Sequence, residues 1–485
     1  EKVIVSCTYI LDKKKVGFKL GKYDSSKALI IDPVLDFATV SGAIDDNWGF
    51  TATYDKSGNL YGGGIVEGSD YPVTTGSFQG SYGGGVFDVA ISKFSSDGTS
   101  LLYATFLGGN SIDMPHSMIV DNNDELIILG STGSTNFPMS ANGYQNSHAQ
   151  GAPVTWPNWE VDPIRRIYSK YDNGANAFVL RISASGNSII NGTFLGDSTG
   201  AVGTNTEITK NYCDETRGEV IILDNGNVAI TTSSKTDNLP FLKPGAGPGA
   251  NSQNAIVAVF NPNLSQLVWG SYYGGSDDET GNSIKTNGTD IFICGATRSS
   301  NIPTHNNSFQ ASYSGGIDGY IAKFNGSNGQ FLGGVYIGTS SYDQAFFIDV
   351  DKLGSVFVFG QSQGIMPVTN SKYSNPNSHQ FIQKYSADLS SRAWSTVVGS
   401  GQNKLDIVPS AFMVDNCLRI YVSGWNGVSN RNAGSINANN TLGLKTTKDA
   451  IDSTTDGSDF YFMVLDRDAT GFLYGTFYGG GAQEH

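Results

Sequence analysis

The stretch LLYATFLGG at residues 101–109 decides the fold, because the chain keeps returning to it. It comes back as LDFATVSG from Leu35, INGTFLGD from Ile190, LVWGSYYGG from Leu267, FLGGVYIG from Phe331, RAWSTVVGS from Arg392 and FLYGTFYGG from Phe472. Each copy alternates its side chains and closes on a small residue, almost always glycine, which is the pattern of a β-strand running into a turn. The copies stand roughly 60 to 90 residues apart along most of the chain, so the unit is a structural repeat rather than a lone motif.

Every copy except the first follows another strand and a tight turn. In DVAISKFSSDGTSLLYATFLGG, residues 88–109, Asp97 and Gly98 supply the turn of a hairpin. A further pair of short strands stands ahead of each hairpin, among them HSMIVDNNDELIILGST from His116, GEVIILDNGNVAITTS from Gly218 and SAFMVDNCLRIYVSGW from Ser410. The unit is therefore four antiparallel strands, A to D. Between B and C runs a link with a proline at one place: Pro72, Pro138, Pro240, Pro303 and Pro367. Proline withholds a backbone donor, so it suits the extended segment leaving a sheet.

Four-stranded units that cannot bury both faces alone do so by packing radially, which makes the chain an all-β propeller. With A strands expected from Gly49, His116, Gly218, Gly281, Ala345 and Ser410, six full repeats follow one orphan D strand at 35–42. The expected blades are 35–42, 49–109, 116–197, 217–275, 281–338, 345–400 and 410–481. The reading is a seven-bladed propeller whose last blade joins both ends of the chain, with a six-bladed ring as the alternative. GGGAQEH at the C-terminus reads as the opening of the seventh unit, so the polypeptide is expected to continue past His485. Residues 28–485 form the propeller, and residues 1–27 are the end of an upstream β domain or a strand extension.

Composition narrows the function. The 485 residues exceed the roughly 250 to 300 at which a simple core stops growing, as a repeat array allows. Thirty Lys and Arg against 44 Asp and Glu give a net charge of -14, which repels a phosphate backbone, so nucleic acid is not an expected partner. No apolar run approaches the roughly 20 residues that span a bilayer. The chain begins at Glu1 without a charged-then-apolar leader, so any export signal is expected to be removed or to lie outside it. Cys7, Cys213, Cys294 and Cys417 form no CxxC pair and read as free thiols or a single disulfide.

The pattern GNLYGGG…SDYPVTTGSFQGSYGGGVFDVAISKFSSDGTSLLYATFLGG, residues 58–109, resembles the bacterial β-propeller repeat called SBBP. The lead-in KALIIDPVLDFATVSG, residues 27–42, is similar to the junction at which an upstream β domain passes into such repeats in large gliding-motility-associated surface proteins of Bacteroidetes. The resemblance covers residues 28–485. It implies a secreted or cell-surface protein exported through the outer membrane by the type IX secretion machinery, and it brings no catalytic residue.

Function is expected where the chain departs from the short repeat. Insertions at 149–176 and 429–457 both connect strand B to strand C, on the face shared with the long D-to-A segment from Ser198. Trp156, Trp159, Arg165, Arg166 and Tyr168 in the first insertion, and Trp425 at the mouth of the second, are candidate ligand contacts, since exposed aromatic and Arg groups dominate binding surfaces. The alternative is that these tryptophans anchor loops and blades. An acid also recurs just past strand D: Asp46, Asp113, Asp278, Asp343, Asp406 and Glu484. These form either a carboxylate ring at the channel mouth that takes a hard cation such as Ca, or one turn cap per blade.

Catalytic signals are weak. GDSTG at 196–200 matches Gly-x-Ser-x-Gly but runs from strand to loop, whereas a nucleophile elbow runs from strand to helix. The five histidines show no zinc spacing, so no metal site is assigned. The expected role is a non-catalytic module for adhesion or display that binds a polysaccharide or a surface protein. The alternatives are a glycan hydrolase or lyase working at the channel mouth, and a spacer between flanking domains.

Overall fold

The computed structural model describes residues 7–12, 15–20, 22, 42–44, 47–155, 170–198, 200–211, 214–240, 252–305, 307–427 and 440–481. Two compact units divide the chain at Asp36 and Phe37. In the first, Cys7–Asp12 pairs antiparallel with Lys15–Leu20, Asp12 standing opposite Lys15 at the closed end of the hairpin. The second unit is all-β, and among its described residues no helix is long and apolar enough to cross a membrane.

Six four-stranded antiparallel sheets make up the second unit, each with its strands in the order A-B-C-D. Blade one runs from Asn47–Tyr54 to Leu101–Leu107, and blade six from Val408–Val414 to Phe472–Tyr478. The A strands of successive blades touch one another around a common axis, so the sheets form a six-bladed propeller. That is the six-bladed alternative in place of the seven-bladed reading. The described residues supply six sets of four paired strands, a two-stranded pair Val154–Thr155 with Lys170–Tyr171 and no seventh four-stranded sheet, and the orphan strand expected at 35–42 lies almost wholly outside them. The A strands begin within three residues of their expected starts, at Asn47, Asp113, Glu219, Ser283, Asp343 and Val408.

Glycine shapes the inner edge of the blades. Strand A carries a bulge in blades one, two, five and six, and the bulged carbonyl turns toward strand B. Strand B meets it with Gly64, Gly130, Gly360 and Gly424, where an added Cβ would lie 2.0, 2.3, 2.2 and 2.7 Å from the carbonyl oxygens of Trp48, Met114, Gln344 and Val408. A bulge needs a residue of that size opposite it. Blade three carries Thr232 at this place, and its A strand is cut short to Glu219–Ile222.

The core is divided among the seams between blades. Tyr61, Ile91 and Leu107 of blade one meet Met118, Ile128 and Phe178 of blade two, and equivalent buried clusters close the seams between blades two and three, three and four, four and five, and five and six. Between blades six and one the described residues form no such cluster. Phe462 of strand C in blade six occupies the place that Ile382 holds in blade five; Ile382 is fully buried and Phe462 is 39% exposed. Among the described residues the ring therefore has a cleft at this position.

Candidate functional site

The long segment between blades two and three is a plug. After Val202, which bridges Ser234, the chain leaves the sheet and crosses the face on which the A strands begin. Asn205 is held by Gln253 of blade three, whose Nε2 donates to its Oδ1 at 2.8 Å. Asn211 accepts from Gln361 Nε2 of blade five at 3.3 Å, and Ile208 packs with Ala296, Ile317 and Tyr342 of blades four and five. Thr204, Asn205, Asn211 and Asp214 are buried although polar, and the last three are hydrogen-bonded into the plug or the blades.

Arg217 ends the plug. Its Nε donates to Asp214 Oδ1 at 3.0 Å, its Nη2 donates to the Pro409 carbonyl of blade six at 3.1 Å, and its guanidinium lies 4.5 Å from the ring centroid of Phe346 in blade five. Beside it, Glu219 accepts from Ser283 Oγ at 2.5 Å and from the Ile284 amide at 2.8 Å, and forms an ion pair with Lys285. Burial pulls the Lys285 ammonium down, but the Glu219 carboxylate outweighs it and holds the lysine above its ordinary value.

From this floor a cavity of about 730 Å³ opens along the axis and into the cleft between blades six and one. Trp48, Phe50 and Tyr71 wall it on the side of blade one, and Phe412, Trp425 and Phe460 on the side of blade six. Strand B of blade one contributes Gly62, Gly63 and Gly64, which leave bare backbone facing the cavity. His116 also lines it; its Nε2 shares a hydrogen bond with Ser131 Oγ at 3.1 Å, its Nδ1 has no partner, and burial holds its pKa down at about 3, so the ring is neutral.

Of the candidate ligand contacts, Trp425 is placed in this wall, 8% exposed at the end of strand B. Trp156, Trp159, Arg165, Arg166 and Tyr168, together with Asp46 and Glu484 of the acidic set, lie outside the described residues. The remaining acids stand as turn caps, the second of the two readings, or beside one. None of Asp113, Asp278, Asp343 and Asp406 lines the axial cavity. Asp113, Asp343 and Asp406 are fully buried at the seams, where each caps the end of strand D by accepting the amide of Gly109, Thr339 or Ser400 at 2.8, 2.6 and 2.7 Å. In blade four the capping acid is Glu279, which accepts from Gly275, and its neighbour Asp278 instead pairs with Arg298. Backbone amides at the turn are a fixed donor that the repeat offers once per blade, which explains the periodicity. Among the described residues no three His, Cys, Asp or Glu side chains converge as a metal site would need.

Arg217, Glu219, Lys285 and the aromatic wall apart from Trp425 were not singled out by sequence. Arg217 lies in the long D-to-A segment whose length marked it, but the partners 192 residues away are set by the ring alone.

A family model described as a domain of unknown function, DUF7948, matches residues 1–34. No curated protein matches the chain. Among solved structures, a polysaccharide lyase of family PL25, an ulvan lyase, is similar at 10% identity and a TM-score of 0.43, covering 89% of this chain and 82% of that one. A protein of unknown function from Bacteroides caccae matches at 10% identity and a TM-score of 0.34, over 82% of this chain and 92% of its own. A Hadza microbial sialidase matches at 10% identity and a TM-score of 0.37 over 79% of this chain, which spans 63% of the sialidase.

Proposed function

We propose that the chain is a non-catalytic β-propeller module of a secreted or cell-surface bacterial protein, exported by type IX secretion and used in adhesion or display, and that it binds polysaccharide in the cleft between blades one and six. The observation that carries this reading is the wall of the cleft. Trp48, Phe50, Tyr71, Phe412, Trp425 and Phe460 surround a cavity floored by Arg217, Lys285 and Asn282. A sugar ring offers an apolar face and an equator of hydroxyls, and aromatic walls with a few fixed polar groups match both. At Gly62 an added Cβ would meet nothing within 4 Å, so the bare backbone there lets a ring approach the blade closely.

The hydrolase reading needs two carboxylates roughly 5 to 10 Å apart across a bond. Glu219 is the one carboxylate among the described lining residues, and it is committed to Lys285. A spacer reading has no use for an open seam.

Polysaccharide arrays probed with the protein and with Trp425→Ala and Phe460→Ala variants test the proposal. Retention of a polysaccharide by the parent, with at least about tenfold loss in the variants, supports it. Equal binding by the variants removes the cleft from the function, and release of cleaved sugar from a retained ligand replaces the binding reading with an enzymatic one.

A further inference from the structure

The seams carry a second acid that the turn-capping role does not use. Strand C begins with Asp88 in blade one and Asp318 in blade four, and each shares its seam with the capping acid of the following blade: Asp113 stands beside Asp88, and the Asp343 carboxylate raises Asp318. All four are fully buried. Asp88 and Asp113 stand on either side of Gly108: a Cβ built there would lie 2.3 Å from Asp88 Oδ1 and 2.9 Å from Asp113 Oδ2. One oxygen of each acid accepts a backbone amide, from Gly83 and Gly109 at the first pair and from Ser314 and Thr339 at the second. The other oxygen, Oδ1 in every case, has no partner. None of the ion pairs among the described residues includes any of the four.

The other acid-capped seams are built differently. Opposite Glu279 stands Asn254, and opposite Asp406 stands Gln380, whose Oε1 accepts the Asp406 amide. Asp406 also has the Lys404 ammonium at 3.3 Å. Of the four acid-capped seams among the described residues two thus start strand C with an amide and two with an acid, and neither amide donates to the capping acid: Asn254 Nδ2 donates to the Ser252 carbonyl and Gln380 Nε2 to the Ile407 carbonyl. An amide supplies N–H donors, and a carboxyl group supplies a donor only when it holds its proton. Two buried, unpaired negative charges side by side are not tolerated, so one proton or one cation must stand between them. A hard cation such as calcium takes six to eight oxygen ligands, whereas a proton needs two.

We propose that Asp88–Asp113 and Asp318–Asp343 are each a buried acid pair that keeps at least one proton, and that these two seams weaken when it is lost to solvent. The groups around the first pair do not supply a countercharge: Tyr82 faces it from blade one with Glu67 acting on that tyrosine, Tyr171 faces it from blade two, and the Thr132 and Ser134 hydroxyls and the Gly109 amide favour the ionised form of Asp113 without outweighing its burial. Tyr313 and Tyr336 face the second pair from blade four and Tyr342 from blade five; the cations Arg298 and Arg217 reach those tyrosines rather than the acids. Burial, reinforced by the neighbouring carboxylate, pushes Asp113 up to about 8 and Asp318 up to about 7, and burial alone lifts Asp88 to about 7. These values lie above that of an unfolded aspartate, so the folded protein keeps protons that the unfolded chain gives up. The stability tied to them is complete below about pH 4 and is lost as pH rises through about 7 to 8.

The test is thermal unfolding of the full chain from pH 5 to 9 in EDTA, and again with millimolar calcium, for the parent, Asp88→Asn, Asp318→Asn and the double variant. An amide supplies the donor without a proton, so the variants are expected to lose less stability toward pH 9. The double variant should melt at least about 2 °C above the parent at pH 8.5. The infrared carbonyl band of protonated carboxyl groups at pH 6.5 should also shrink in the variants, a readout that does not depend on unfolding. Identical slopes together with an unchanged band overturn the proposal. Calcium raising the melting temperature of the parent but not of the double variant overturns it in favour of a cation site.

Discussion

The Arg217 guanidinium donates from Nη2 to the backbone carbonyl of Pro409 at 3.1 Å, joining residues 192 positions apart. Arg217 stands just ahead of strand A of blade three and Pro409 in strand A of blade six, so this side chain makes a connection across the axis. It uses its three faces separately: Nε on Asp214, Nη2 on Pro409, and the flat of the group on Phe346. Only a planar fork with several donors does all three.

Replacing Arg217 with alanine leaves the fully buried Asp214 without its cation, and breaking such a pair costs about 3 kcal/mol or more. Arg217→Lys should recover only part of that, because an ammonium cannot reach Asp214 and Pro409 in one geometry and stack on Phe346. Denaturant midpoints of the three proteins, compared at one pH, read the order directly.

A second prediction separates two glycines of blade four. At Gly295 an added Cβ would lie 1.7 Å from the Thr280 carbonyl oxygen, whereas at Gly333 it would meet nothing within 4 Å. Gly295→Ala should therefore destabilise by about 1–3 kcal/mol through forced backbone movement. Gly333→Ala should leave the melting temperature unchanged or raise it slightly, since it restricts only the unfolded chain.

The repeat was legible because strand period, turn residues and the linking prolines are local signals. Strands such as Leu101–Leu107 and Phe331–Ile337 fall where the quoted stretches put them. The shift from Asp278 to Glu279 was not legible, since both acids follow the same glycine and only the register with Thr297, whose Oγ1 donates to Glu279, chooses between them. The number of blades and the aromatic cleft were hidden for a different reason. They depend on which faces meet when the ring forms, and Trp48, Phe412 and Phe460 sit in ordinary alternating strands that look like any other core positions. Trp425 was legible as a candidate because it stands at a strand end beside an insertion, where a core role is less constrained.

The cysteines give a third check. Cys294 is buried in strand B of blade four, and burial pushes its thiol well above the ordinary value, while Cys417 lies exposed in a turn of blade six. A thiol must be both accessible and ionised to react. Site-resolved mass spectrometry after brief alkylation at pH 8 should find Cys417 labelled in the native protein and Cys294 labelled only after unfolding.

The open seam predicts an asymmetry between two residues at one blade position. Ile382 in blade five is fully buried against blade six, and Phe462, its counterpart in blade six, is 39% exposed and stacks only on Phe460 at 6.4 Å. Truncating a buried isoleucine removes its transfer free energy and leaves a cavity, so Ile382→Ala should cost about 2–5 kcal/mol. Phe462→Ala removes a ring that is partly in water already and gives up its stacking on Phe460, and should cost under about 1 kcal/mol. Because phenylalanine is the larger side chain, a closed seam would give the opposite order. Equal or larger destabilisation at Phe462, measured by denaturant unfolding, would therefore mean that blade one covers it in solution and that the cleft is absent; the expected order, with Phe462→Ala also weakening polysaccharide retention, ties the exposed wall of blade six to the binding site.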